Sequence, residues 1–149
     1  MYHRILVPVE NSSYDERILD HVRQLARYCG ASIVLIHVAD GWAARNIQHL
    51  NLRESEEMRA DREYIERLAE RLSTEGLDAE AVLATGDPSA EIAAAAEREH
   101  CDLIAMSTHG HRFIADLIYG SVASAVRHMT NIPVLLLRAP NPAKQKAAT

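Results

Sequence analysis

The amino-acid sequence predicts an α/β fold: a five-stranded parallel sheet with helices on both faces, in one domain. Two observations carry this. Five short apolar runs alternate with four stretches of helical periodicity, the pattern of repeated strand–helix–strand crossovers. The 149 residues are 48% hydrophobic and 25% charged, enough apolar surface for one core and too much for a disordered chain.

The first run, Arg4–Val9, is a strand, and Pro8, which lacks an N–H, belongs at its end. Ser13 and Glu16 have capping-box spacing, and the helix after them runs to about Tyr28 with Ile18, Leu19, Val22, Leu25 and Ala26 inward. Gly30 stops it, and Ile33–Val38 is a second buried strand. From Asp40 to Ser55 the pattern weakens, which is long for a plain connection and implies a functional flap or partial helix. A charged helix follows from about Glu56 to Glu75, with Met58, Ile65, Leu68, Ala69 and Leu72 as its apolar stripe, and Gly76 ends it. Ala79–Thr85 is the third strand. Asp87 then reads as an N-cap, with Pro88 in the first helical position of a helix to His100.

The most informative stretch is Leu103–Arg138. Leu103–Met106 is a short apolar run, as in a strand covered on both faces. Gly110 opens a loop and Gly120-Ser121 closes it. Val122, Ala125, Val126 and Met129 then recur at helical spacing, Asn131 and Pro133 end that helix, and Val134–Leu137 is the last strand. Gly120 would let backbone approach a ligand, and Ser121 at a helix start would offer free N–H groups and a hydroxyl to a phosphate. The plainer alternative is a turn glycine followed by a helix cap. Residues 139–149 lack a core pattern and read as a disordered tail, so the domain spans 1–138.

Composition excludes several classes. The formal charge is −5 without a basic run, which gives no footprint for nucleic acid or an anionic membrane. Cys29 and Cys101 stand singly, as small buried thiols rather than a metal cluster or disulfide. His109 and His111 flank Gly110 but do not close a zinc site, so no metal site is expected. No segment reaches the roughly 18 apolar residues of a membrane span. The first strand starts too early to leave room for a signal peptide, and a cytoplasmic location is expected.

Gly110, nine residues, then Gly120-Ser121, preceded by Ser107-Thr108-His109, resembles the nucleotide-binding loop of the universal stress protein family. ATP-binding members carry G-x2-G-x9-G-[S/T]; here Ser107 stands in place of the first glycine. Ile5–Glu10 and Ile36-His37-Val38 also resemble family signatures, and the resemblance runs from Tyr2 to Arg138. It implies a Rossmann-like sheet in the order 3-2-1-4-5, whose direction reverses between strands one and four. Ligands bind outside the carboxyl ends at such a switch point, where Pro8-Val9-Glu10 and Met106-Ser107 lie.

The resemblance assigns an adenine nucleotide, ATP with or without Mg²⁺, to these residues. Val9 and Val38 would hold the adenine between apolar side chains, with their backbone groups on its edge. Glu10 stands where relatives usually have an Asp on the ribose; the alternative is an exposed loop acid. Ser107, Gly110, Arg112, Gly120, Ser121 and Val122 would follow the phosphates, Arg112 being otherwise a surface arginine. No nucleophile elbow, paired acids or Walker-type lysine is present, so no catalytic residues are assigned, and binding without efficient turnover is expected. The expected role is a nucleotide-binding stress-response module acting through conformation or an unknown protein partner. The alternatives are a dimeric scaffold without nucleotide, favoured by Ser107 and Glu10, and a slow Mg²⁺-dependent ATPase. An uncharged last strand at the sheet edge, together with the resemblance, implies a homodimer.

Overall fold

The computed structural model describes residues 1–40, 47–108 and 116–138. The elements in order are β1 (Arg4–Pro8), α1 (Asp15–Cys29), β2 (Ser32–Asp40), α2 (Ile47–Thr74), β3 (Ala79–Gly86), α3 (Pro88–Arg98), β4 (Leu103–Ser107), α4 (Asp116–Met129) and β5 (Val134–Leu137). The five strands are parallel in the order β3-β2-β1-β4-β5, as expected.

Strand periodicity splits the core into two layers. Ile5, Val7 and Val9 of β1 and Ile33 and Leu35 of β2 face one side, where Ile18, Leu19 and Val22 of α1 and Ile65 and Leu72 of α2 cover them. Leu6, Val34 and Ile36 face the other side, against Ile92, Ala95 and Ala96 of α3 and Ala123 and Val126 of α4. The central strands are buried on both faces, which is why they read as unbroken apolar runs.

Local signals explain most boundaries. Gly30 caps α1 in the left-handed region at φ 69°, and its N–H donates to the Ala26 carbonyl. Asp87 caps α3: its carboxylate accepts from the Ala90 N–H at 3.0 Å and the Ser89 hydroxyl at 2.8 Å, which holds it below the usual carboxylate range. The weakly patterned segment is partly helical, since α2 already begins at Ile47, while residues 41–46 lie outside the described ones.

Two expectations are corrected. The Ser13–Glu16 capping box does not form; Tyr14 is the N-cap of α1, without a side-chain cap hydrogen bond. Ser12 and Asp15 organise this turn instead, as described below. The last helix does not begin at Ser121 but at Asp116, so Gly120 and Ser121 lie within it. A glycine inside a helix costs only about 1 kcal/mol relative to alanine, too little to halt it. The expected disordered tail, 139–149, lies outside the described residues.

Candidate functional site

The site is built where β1 ends, because its hydrogen-bond ladders stop on both sides there. Alternate residues of β1 serve alternate neighbours. The His3 carbonyl accepts from the Ser32 N–H towards β2, and the Arg4 carbonyl accepts from the Asp102 N–H towards β4, both at 2.9 Å. Leu6 and Pro8 therefore also face β4. Pro8 has no N–H to continue that ladder, and the β1–β4 pairing ends at Leu6↔Ile104. Strand β4 stays paired with β5 through Ser107↔Leu137, and the Thr108 N–H donates to the Leu137 carbonyl at 3.1 Å. The carboxyl ends of β1 and β4 thus part at the switch point, placing Pro8, Val9 and Glu10 on one side and Met106 and Ser107 on the other.

On the β2 side the last rung is the Val9 N–H to the Ile36 carbonyl at 2.8 Å. The Val9 carbonyl then accepts from His37 Nδ1 at 2.9 Å, and the Glu10 N–H turns to Asp15 Oδ1 at 3.0 Å. Val38 lies two residues beyond Ile36, so its N–H and C=O point to the same side, past the end of β1. This corrects one expectation: the Val9 N–H is taken by the sheet, so of these two valines it is Val38 that presents its backbone edge to this space. A parallel β-strand edge of this kind fits the donor and acceptor edge of an adenine; the Val38 side chain is partly buried against the α3–α4 layer, and Met106 belongs to that core.

The loop from β1 to α1 is held by a buried acid. Asp15 is 4% exposed. Its Oδ1 accepts from Glu10 N–H, and its Oδ2 accepts from Ser12 N–H at 3.0 Å and the Tyr64 hydroxyl at 2.6 Å. Burial and the Asp15 carboxylate push the Tyr64 phenol upward, so it remains the donor. Ser12 Oγ accepts from the Tyr14 N–H at 3.3 Å, completing the turn, while Asn11 takes a left-handed φ of 61°. One helical turn from Tyr64, Asp61 Oδ2 lies 3.2 Å from His37 Nε2. Helix α2 thus grips the loop twice, and Arg71 pairs with Glu16 of α1 two turns further on.

Glu10 is half-buried beside this acid. Burial first, and the Asp15 charge second, push its carboxyl from an ordinary 4.5 up to about 7. At the other end of the site, Gly120 and Ser121 sit in the second turn of α4, where backbone N–H groups are used within the helix. The free amides of that helix lie at its start near Asp116 and not at Ser121. Val122 packs against the α3–α4 core layer. Gly110 and Arg112 lie outside the described residues. Burial pushes the Cys101 thiol up to about 11, in keeping with an inert core thiol. Among the described residues no group of three or more His, Cys, Asp or Glu is placed to hold a metal, and no helix is long and apolar enough to cross a membrane.

Asp15, Asp61 and Tyr64 were missed by reading the sequence, and His37 was noted only as part of a signature. One signal was present: Asp61 lies on the buried stripe of α2, at helical spacing before Ile65, Leu68 and Leu72. An open depression lined by His3, Gly30, Ser32, Gly76 and Asp78 lies at the opposite, amino end of the strands.

The fold is a doubly wound, Rossmann-like α/β domain, and the candidate site is the topological switch point between β1 and β4. The chain belongs to the universal stress protein family, whose model matches residues 1–138. Universal stress protein MJ0577 of Methanocaldococcus jannaschii is 28% identical over 158 residues, covering 95% of this chain and 98% of the relative. Its solved structure superposes with a TM-score of 0.81 at 27% identity, over 95% of this chain and 99% of that one. A universal stress protein from Archaeoglobus fulgidus, solved in complex with dAMP, superposes at 0.67 with 22% identity, over 91% and 97% of the two chains. Another, solved in complex with cAMP, superposes at 0.61 with 22% identity, over 92% and 97%.

The Glu10 shift gives a pH dependence. An acid whose folded pKa lies above its unfolded one adds stability that is complete below about 4.5 and lost as pH rises through about 7. Glu10→Gln should therefore unfold at higher denaturant than the parent at pH 8, with the gap closing by pH 4. Urea melts across that range test this; a gap independent of pH would contradict it.

Proposed function

We propose that this chain is an adenine-nucleotide-binding regulatory module of the stress response, with ATP, alone or with Mg²⁺, as its ligand. The observation that carries the reading is the Val38 edge, which no described residue closes where the β1 ladders end, taken together with the Gly110-x9-Gly120-Ser121 spacing in the sequence. The dAMP and cAMP complexes of similar proteins support an adenine nucleotide at such a fold. In this reading Val38 takes the adenine edge beside Pro8, Glu10 faces the ribose, and the Val9 and Met106 side chains, buried on opposite faces of the sheet, back the site from the core. Ser107, Gly110, Arg112, Gly120, Ser121 and Val122 border the phosphate path. Without a Walker-type lysine the module binds rather than turns over, and it signals through conformation or a protein partner. Ser107 and Glu10, which depart from the motif, favour a second reading, a dimeric scaffold that holds no nucleotide.

Gly120→Ala separates the two. In a helix interior alanine should raise stability by about 0.5–1 kcal/mol. If ligand approaches the helix there, the same change should weaken ATP binding about tenfold or more in titration calorimetry. Failure of the parent to bind ATP at all would favour the scaffold, and unchanged affinity in the variant would place the phosphates elsewhere.

The module is also proposed to dimerise through β5. This strand is an edge of the sheet, Val134–Leu137 carries no charge, and Leu136 is 38% exposed. Light scattering should find a dimer for the parent and a monomer for Leu136→Lys. A monomeric parent, or an undisturbed dimer in the variant, would refute this interface.

A further inference from the structure

Four polar side chains near the crevice have no assigned part in holding a nucleotide: Asp15, His37, Asp61 and Tyr64. They act on one short piece of backbone. The sheet ladder between β1 and β2 would, if continued, bring the Val38 N–H to the Val9 carbonyl and close the edge. It does not continue. His37 Nδ1 donates to that carbonyl at 2.9 Å, and Asp15 takes the next amide, Glu10 N–H, at 3.0 Å. Both side chains are fixed from α2. Asp61 stands 3.2 Å from His37 Nε2, and the Tyr64 hydroxyl donates to Asp15 at 2.6 Å. His37 and Asp61 are themselves 13% and 23% exposed, so this linkage is sheltered from water.

We propose that Asp15 and His37 are positioning residues of the nucleotide site: supported by Tyr64 and Asp61, they draw the loop after β1 off the β2 ladder and keep the Val38 edge open for adenine. This inference rests on the nucleotide reading above and deepens it. It assigns the site's shape to side chains that need not touch the ligand. It also makes α2 the element that holds the adenine end in place. Without the two grips, the Val9 carbonyl and the Val38 N–H lie within reach of each other's ladder position, and closure of that rung competes directly with adenine.

The test uses the full chain and four variants, with ATP as probe. Tyr64→Phe keeps the ring and removes only the donor to Asp15. Asp15→Ala removes the acceptor for both loop amides. His37→Leu removes the donor to Val9, and His37→Gln restores an amide donor. Titration should show ATP affinity weakened about tenfold in Asp15→Ala and His37→Leu, and about threefold in Tyr64→Phe, with His37→Gln recovering most of the loss. Amide hydrogen exchange should quicken at Glu10 and Ser12 in Asp15→Ala and in Tyr64→Phe, while β3 amides stay as protected as in the parent. General destabilisation would instead quicken β3 as well and would not be rescued by glutamine. Unchanged ATP affinity in both Asp15→Ala and His37→Leu, or unchanged exchange at Glu10 and Ser12, would overturn the proposal. A parent chain that bound no adenine nucleotide would sink the nucleotide reading. The exchange measurement would then still decide whether Asp15 holds the loop.

Discussion

A carboxylate buried against the core needs hydrogen-bond donors, and Asp15 has three. Hydrogen bonds to a charged group contribute about 1.5–3 kcal/mol each, so the arrangement offsets much of the desolvation of the acid. Its geometric effect is larger than its energetic one. Two of the donors are consecutive stations of the loop after β1, Glu10 and Ser12, and the third is Tyr64 from a distant helix. One buried charge thereby fixes the exit of the central strand, the start of α1 and the lie of α2.

The crevice follows from this constraint and from one imino acid. Pro8 cannot donate towards β4, so that ladder stops; Asp15 and His37 carry the chain away from β2, so the other ladder stops. The sheet opens at the one place where strand order reverses, while the two core layers keep the strands beneath it rigid. Glu10 is left half-buried beside a second acid, which accounts for its raised pKa. A site with this shape is a consequence of strand termination, not of a separate loop domain.

The central strands were legible because they are apolar on both faces, and the Asp87-Pro88 cap because its signal lies within four residues. The Rossmann-like strand order came from family resemblance, and the sheet agrees with it. The start of α4 was not legible: Gly120 has the look of a breaker, yet a helix absorbs one glycine at small cost. At α1 the Ser13–Glu16 spacing drew attention from Asp15, whose decisive partner, Tyr64, is 49 residues away. Local periodicity cannot encode that pairing. Tyr64 on α2 resembles an ordinary helix residue until the fold brings it to the loop, and only the place of Asp61 on the buried stripe of that helix hinted at a partner.

The central claim is that adenine meets the Val38 edge past the end of β1, in the space between the ends of β2 and β4. Amide chemical shifts of the full chain, followed during ATP addition, test it most directly. The account predicts saturable shifts at Val38 and Glu10 and at the first turn of α4, with the β3 end of the sheet little changed. Shifts confined to the amino end of the strands, around His3, Gly30 and Asp78, would contradict it, as would saturation by ATP that left Val38 and Glu10 unmoved.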